Sequence, residues 1–174
     1  MAASKRASSV EALPRLWAPW RSAFLSGPKP RRCIFCAAGR STQDRRHHVI
    51  ARHDRVFALL NRYPYNNGHL MVAPYRHVGS LTALTEGEWL GLLALSRRFT
   101  RVLSRAMHPQ GFNVGFNLGR AGGAGLPGHL HLHLVPRWNG DTNFMPVLAD
   151  TKVISQSLDE LYRLLRFNAT RRSR

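Results

Sequence analysis

The chain has few cysteines, few acidic residues and no long apolar run. Only Cys33 and Cys36 occur among its 174 residues, whereas a small secreted scaffold held together by disulfides carries more cysteines. No apolar stretch approaches the roughly 20 residues that a membrane helix needs. The sequence also does not open with an apolar segment and a small-residue cleavage site. We therefore expect a cytoplasmic protein that is not associated with a membrane.

The scarcity of acidic residues leaves a strong positive charge. There are 26 lysines and arginines against 9 aspartates and glutamates, giving a formal net charge of +17. A field of that sign attracts polyanions such as nucleotides or nucleic acid. Much of the charge lies near the two ends of the chain, and a phosphate-bearing small molecule suits it as well as nucleic acid does. We expect a small nucleotide as the partner rather than nucleic acid.

The length fits one domain, since domains typically run to roughly 100–150 residues. The hydrophobic fraction of 44% is enough for a core. We expect a disordered basic N-terminus over residues 1–12, a single domain over 13–168 and a basic C-terminal tail over 169–174.

The secondary-structure signals predict an α+β domain. A long helix is expected to open at the N-cap Thr85 and to end near Met107. The capping box of Ser157 and Glu160 predicts a last helix. Strands are expected over residues 49–52, 56–61, 69–73, 112–118 and 130–136. Together these elements predict an antiparallel sheet with one long helix packed on it.

Three histidines alternate along the last predicted strand. His129, His131 and His133 should share one face at a spacing of roughly 6.6 Å, because strand side chains alternate. Imidazole titrates near neutral pH, so it can act as a nucleophile, an acid or a metal ligand. Three imidazoles on one face are costly to assemble for packing alone. We therefore predict a catalytic role for this strand.

The residue types point to phosphate chemistry. No Ser-His-Asp set is evident, and the acids are too few for a carboxylate pair. An imidazole can attack phosphorus and form a covalent phosphoramidate. A neighbouring histidine can hold the tautomer of the nucleophile or protonate the leaving oxygen. Backbone N–H groups in the glycine-rich loop over residues 119–128 can bind phosphate oxygens.

At this point the sequence resembles a known family. Residues 129–135, HLHLHLV, match the His-φ-His-φ-His-φ-φ signature of the histidine triad superfamily, and the likeness covers residues 17–152. Residues 57–61 and 68–74 resemble the branch that hydrolyses dinucleoside polyphosphates. Residues 136–144 are similar to a bacterial subgroup that includes diadenosine tetraphosphate phosphorylases. The resemblance implies the histidine triad fold and an enzyme working through a nucleotidyl-histidine intermediate, with water or phosphate as the acceptor.

The resemblance also implies roles for individual histidines. His131 matches the nucleophile that takes the nucleoside monophosphate. His133 matches the residue that hydrogen-bonds the α-phosphate and the bridging oxygen. His69 matches the histidine that supports the nucleophile from the neighbouring strand.

Three further positions correspond to substrate contacts of the family. Asn61 matches a ribose-hydroxyl contact, and Asn117 matches a contact near the phosphates. Gly125 stands where the family usually has a glutamine or serine that touches phosphate. Backbone N–H groups would have to replace that side chain.

The two cysteines form half of a tetrahedral zinc site by their spacing, Cys33-x-x-Cys36. A reducible thiol pair and two inert cysteines are the alternatives. Some bacterial triad proteins complete the site with histidines whose positions match His77 and His129 here. The resemblance thus implies a closed, structural Cys2His2 zinc site and no organic cofactor.

Two further hypotheses remain open. The chain could be a non-catalytic nucleotide-binding, zinc-stabilised interaction protein that does not need His131. Family members often pair across the long helix and the sheet edge, so the resemblance allows for a homodimer.

Trp138 is expected to shape the site, with Asn143 and Phe144 as further candidates to line it.

Overall fold

The structure is a computed structural model that describes residues 32–142 and 154–170. The expectations for the N-terminus, for Asn143 and Phe144 and for most of the C-terminal tail lie outside the described residues. No described helix is both long and apolar enough to cross a membrane. In chain order the elements are α1 (Ile34–Arg40), α2 (Asp44–His47), β1 (Val49–Arg52), β2 (Val56–Leu60), β3 (Leu70–Pro74), a short 3-10 helix (Leu81–Ala83), α3 (Glu86–Met107), β4 (Gly111–Phe116), β5 (Leu132–Arg137) and α4 (Leu158–Thr170).

The five strands form one antiparallel sheet in the order β1-β2-β3-β5-β4. This confirms the predicted α+β class, with the long helix α3 packed on the sheet. The last strand, β5, inserts between β3 and β4, so that Met71 pairs with His133. The strand that follows His69 is therefore the direct neighbour of the strand that carries His133.

Alternation along β2 divides the interior into two clusters. Val56, Ala58 and Leu60 join a large cluster between the sheet and the helices α3 and α4. Phe57 and Leu59 point the other way, into a smaller cluster beneath α1. The same alternation runs along β3, and all five residues of each strand are buried. Both faces of the central sheet are covered, which explains why these strands are continuously apolar.

His133 lies on the face of β5 that points toward the smaller cluster. Leu134 belongs to the large cluster, so the neighbouring His133 must face the other side because strand side chains alternate. The segment of α1 therefore covers the same side of the sheet as the histidines. This places the two cysteines close to the candidate catalytic residues.

The helix α3 begins and ends where the sequence predicts. The Thr85 hydroxyl accepts a hydrogen bond from the backbone N–H of Glu88, and the Glu88 carboxylate accepts one from the Thr85 backbone. His108 closes the helix in the left-handed conformation, with φ of 49°. Not all of its leucines face the core, since Leu90 and Leu93 are 61% and 55% exposed.

Glu88 carries a buried charge that holds the start of α3. Its two carboxylate oxygens each lie 2.7 Å from a guanidinium nitrogen of Arg76, and its side chain is only 3% exposed. The Arg76 guanidinium, opposed by burial, lowers the pKa of Glu88 to about 2. The ionised carboxylate is thus much more stable in the folded protein than in the unfolded chain.

We expect Glu88→Gln to lower the free energy of unfolding by about 2 kcal/mol at pH 7, because it removes a charged, buried hydrogen-bond acceptor. In the wild type this stabilisation is complete above the unfolded pKa of roughly 4.3. It is lost as the pH falls through about 2, so the two proteins should converge in acid. Urea unfolding at several pH values measures this. Glu86→Gln, an exposed change in the same helical turn, is the control, and an equal loss in both variants would contradict the prediction.

Candidate active site

His69 and His133 form a hydrogen-bonded pair between neighbouring strands. The His69 Nε2 lies 2.9 Å from the His133 Nδ1, and both rings are buried. The Tyr65 backbone N–H donates to His69 Nδ1 at 3.0 Å, and the Asn61 amide nitrogen lies 3.3 Å from the same atom. Since Nδ1 of His69 accepts, its hydrogen is on Nε2 and is donated to His133. The neutral His133 ring then carries its own hydrogen on Nε2.

The partner of His131 likewise fixes its tautomer. The His131 Nδ1 lies 2.8 Å from the backbone carbonyl oxygen of His129. A carbonyl only accepts, so Nδ1 carries the hydrogen and Nε2 of the neutral ring keeps its lone pair. Burial lowers the pKa of His131 and outweighs the opposing effect of the carbonyl. The geometry therefore presents His131 as a neutral imidazole with Nε2 available as a nucleophile.

Two aromatic residues that the sequence analysis did not single out pack against these rings. The Phe35 centroid lies 4.6 Å from that of His131. The Tyr65 ring lies 4.6 Å from His69 and stacks on His133 at 5.4 Å. The sequence marked these two residues only by their neighbours: Phe35 stands between the two cysteines, and Tyr65 lies in the loop directly before His69. Both residues are part of the walls that hold the histidines.

Asn117 lies beside the outward nitrogen of His133. Its Nδ2 is 3.4 Å from the His133 Nε2 and 3.1 Å from the Tyr65 hydroxyl oxygen. The amide also reaches the carbonyl of Gly123 in the glycine-rich loop at 3.5 Å. The structure thus brings the predicted residue Asn117 to the His69–His133 pair.

Asn61 and Gly125 occupy different surroundings. Asn61 follows β2, and its Oδ1 accepts the backbone N–H of Tyr63 at 2.9 Å while its amide nitrogen faces His69. These bonds fix its orientation beside the histidine pair. Gly125 is half-buried in the glycine-rich loop, next to the buried Ala124.

The glycine-rich loop folds as the sequence predicts, without regular structure. Gly119 and Gly123 have φ of 65° and 83°, which other residues rarely adopt. The end of the loop is braced against the segment after β3: a Cβ on Gly79 would come within 2.7 Å of the Pro127 carbonyl oxygen. The end of the loop is therefore held against the segment that carries His77.

The two cysteines meet His77 and His129 in one cluster. The Cys33 Sγ lies 3.3 Å from the His129 Nδ1, and the Cys36 Sγ lies 3.3 Å from the His77 Nδ1 and 3.6 Å from the His129 Nδ1. All four ligand atoms lie within 4.8 Å of one another. Zinc bound by two sulfurs and two nitrogens holds its ligand atoms about 3.5 Å apart. The cluster can therefore hold a metal ion.

The second nitrogen of His129 supports this interpretation. Its Nε2 donates to the Pro74 carbonyl oxygen at 2.9 Å, which leaves Nδ1 as the ligand atom. Metal-binding histidines commonly donate their other N–H to such an acceptor. Burial lowers the pKa of His129 to about 4, so the ring is in the neutral form that a metal requires.

The turn after β5 is tied to the loop before His69. The Asp141 carboxylate accepts two bonds from Arg137, at 2.6 and 2.9 Å, and one from the Asn66 amide at 2.8 Å. It also accepts the backbone N–H of Trp138 at 3.2 Å. Trp138 itself is half-buried in this turn. These bonds hold the segment whose sequence resembles the bacterial phosphorylase-containing subgroup.

Comparisons with known proteins agree with this geometry. The family model for the HIT domain matches residues 42–140. The chain is 43% identical to an AP-4-A phosphorylase of Mycobacterium tuberculosis over 161 residues, which cover 88% of this chain and 83% of that protein. A zinc-bound histidine triad family protein from Mycobacterium smegmatis superposes with a TM-score of 0.62 at 28% identity, over 79% of this chain and 92% of that one. Plasmodium falciparum diadenosine triphosphate hydrolase shares the fold, with a TM-score of 0.54 at 14% identity over 71% of this chain and 74% of that one.

Proposed function

Since the chain belongs to the histidine triad (HIT) family, we propose that it cleaves dinucleoside polyphosphates, such as diadenosine tetraphosphate, or related nucleoside phosphate esters. The reaction proceeds through a nucleotide bound covalently to His131. The observation that carries the proposal is the buried, neutral His131, whose Nδ1–H is engaged by a carbonyl and whose Nε2 keeps its lone pair.

In the first step, Nε2 of His131 attacks the α-phosphorus. A P–N bond forms, the bond from phosphorus to the bridging oxygen breaks, and the leaving nucleotide departs with that electron pair. The Nδ1–H bond to the His129 carbonyl oxygen stabilises the positive charge that develops on the ring. In the second step, water or phosphate attacks the same phosphorus and displaces His131 unchanged.

His133 and Asn117 supply donors where charge develops. The Nε2–H of His133 and the Nδ2 of Asn117 lie 3.4 Å apart. An α-phosphate or bridging oxygen placed beside both can take a hydrogen bond from His133, and one from Asn117 in exchange for the amide's 3.5 Å bond to the Gly123 carbonyl oxygen. His69 keeps His133 in this tautomer through its own Nε2–H. We therefore assign leaving-group stabilisation to His133 and support of that residue to His69.

The other predicted contacts complete the substrate site. We propose that Asn61 binds a ribose hydroxyl, because it is oriented beside His69 by its own bonds. At Gly125 the family's phosphate-touching side chain is missing, so backbone N–H groups of the loop take that part.

We propose phosphate as the acceptor. The 43% identical relative is an AP-4-A phosphorylase, and residues 136–144 resemble the subgroup that contains such enzymes. Incubation with diadenosine tetraphosphate should then give ADP and ATP only when inorganic phosphate is present, with products identified by mass. AMP and ATP without phosphate would establish a hydrolase instead. Absence of turnover in both conditions would overturn the dinucleotide proposal.

We propose zinc as the metal of the cysteine–histidine cluster. Two thiolates and two imidazoles are the ligands of closed structural zinc sites, and a zinc-bound family member shares the fold. Zinc here would stabilise the fold and would not contact the phosphates.

We also propose a homodimer that pairs through β4 and the exposed side of α3. Among the described strands β4 pairs with β5 alone, and Val114 on it is 55% exposed. Trp89 of α3 packs edge-on against Phe116 of β4 at 5.7 Å, which joins this strand to the helix that exposes Leu93. A second copy would cover the open edge and the apolar side chains.

Light scattering over a range of concentrations tests the dimer. The wild type should have twice the monomer mass, and Val114→Arg should be monomeric because the charge would be buried between the copies. Phe167→Arg on α4 replaces a side chain that is 61% exposed and should stay dimeric. A monomeric wild type, or a dimeric Val114→Arg, would refute this interface.

A further inference from the structure

The cysteine segment places an aromatic ring directly against the candidate nucleophile. We propose that Phe35 is a positioning residue for His131, so that the metal cluster serves catalysis by holding this ring in place. The inference rests on the proposed function and adds a residue to it. Phe35 touches neither substrate nor reacting phosphorus in this proposal; it acts through the His131 ring.

The Phe35 ring contacts two histidines of the segment 129–133, which we call the histidine segment. Phe35 is 1% exposed. Its centroid lies 4.6 Å from that of His131 with an interplanar angle of 31°, and 5.0 Å from that of His129 with an angle of 34°. Rings at these distances are in van der Waals contact. One apolar ring therefore supports both the nucleophile and the neighbouring metal-ligand candidate.

A single hydrogen bond does not fix the orientation of His131. The bond from Nδ1 to the His129 carbonyl oxygen holds one edge of the ring, but the ring can still rock about that bond. Phe35 packs against its face, and His133 meets it at 4.8 Å with an angle of 64°. The direction of the Nε2 lone pair is therefore set by packing as well as by the hydrogen bond.

The cysteines hold Phe35 from both sides in the sequence. Cys33 caps α1, and its carbonyl accepts the backbone N–H of Ala37 at 3.0 Å. Cys33 and Cys36 both approach His129, at 3.3 and 3.6 Å. The backbone of Phe35 therefore stays beside His131 as long as this turn of helix stays in the metal cluster. The cluster thus fixes the ring that fixes the nucleophile.

Removing the Phe35 ring should impair the alignment of the His131 lone pair with the phosphorus more than it impairs substrate binding. Attack on phosphorus needs the lone pair aligned with the bond that breaks, and small misplacements of reacting groups cost about 10- to 100-fold in rate. The proposed substrate contacts at Asn61 and Asn117 belong to other loops. We therefore expect a fall in kcat with little change in KM.

The test compares Phe35→Leu and Phe35→Met with Phe57→Leu. Phe57 belongs to the same cluster, is fully buried and stacks on Tyr75 at 5.1 Å rather than on a histidine of the site. Each variant is assayed with diadenosine tetraphosphate and phosphate for kcat and KM. Metal content, thermal unfolding and ADP affinity are measured on the same samples. Leucine and methionine have nearly equal volumes, but the flexible methionine chain adapts better to an irregular gap, so at least one Phe35 variant should remain folded.

The inference predicts a kcat about 10- to 100-fold lower in both Phe35 variants, with metal content, KM and ADP affinity close to those of the wild type. Phe57→Leu should lose stability but keep kcat. Equal kcat in the Phe35 and Phe57 variants would overturn the inference. A loss of kcat that simply follows a loss of metal would also overturn it. An inactive wild type would instead refute the proposed function itself.

Discussion

His131→Asn is expected to abolish turnover, with a fall in kcat of about 10⁴-fold or more, while nucleotide binding persists. Asparagine has no nitrogen lone pair that can attack phosphorus, so the covalent intermediate cannot form. Its amide N–H can still donate to the His129 carbonyl oxygen that His131 engages at 2.8 Å. Steady-state rates with diadenosine tetraphosphate and phosphate, together with calorimetric ADP binding, measure both halves of the prediction. Intact-mass spectra should show the nucleotide adduct in the wild type alone.

His53→Asn is the matched control, since His53 is exposed in the turn between β1 and β2. It should have wild-type kcat. A His131→Asn protein that retained its function would support the alternative hypothesis of a non-catalytic, nucleotide-binding interaction protein.

His77→Ala and Cys33→Ser are expected to cause the largest loss of stability. Structural zinc contributes about 10 kcal/mol or more in small zinc-binding peptides, which is comparable to the whole stability of a typical domain. Either change removes one of four ligands from the cluster that joins α1 to the histidine segment. We expect both variants to lose bound metal and to unfold at a much lower temperature. The wild type treated with a strong chelator should behave in the same way.

Elemental analysis and thermal scans with and without chelator make this measurement, and His53→Ala is the control. The outcome also decides among the three hypotheses for the cysteines. A wild type that carries no metal and is indifferent to chelator would leave a thiol pair or inert cysteines, and would remove zinc from the proposal.

The sequence predicted best those features whose causes are local. The capping box of Ser157 and Glu160 is present: the Ser157 N–H donates to the carboxylate at 3.0 Å, and the Glu160 N–H donates to the hydroxyl at 3.3 Å. The limits of α3 were equally well marked by Thr85 and by the residues after Met107. Such signals need only neighbours along the chain, so they can be read without knowing the fold.

Features that depend on distant contacts could not be predicted as well. No helix was predicted before Thr85, but α1 begins directly after Cys33, and α2 follows it. The last strand was expected to begin at Leu130, yet β5 begins at Leu132, because the Leu130 N–H bonds to the Val78 carbonyl oxygen instead of a neighbouring strand. Because Leu130 lies outside the sheet, the preceding His129 can face the cysteines. The packing of Phe35 on His131 likewise joins two segments that are far apart in the sequence.

His129 connects three parts of the molecule through different atoms. Its Nδ1 faces the cysteines, its Nε2–H holds the Pro74 carbonyl oxygen, and its own carbonyl sets the tautomer of His131. A cysteine in its place could bind a metal but could not reach Pro74 with an N–H, and an asparagine would offer a much poorer metal ligand. In evolutionary terms, no single substitution here preserves both side-chain duties. Any replacement of His129 therefore disturbs the metal cluster, the end of β3 or both.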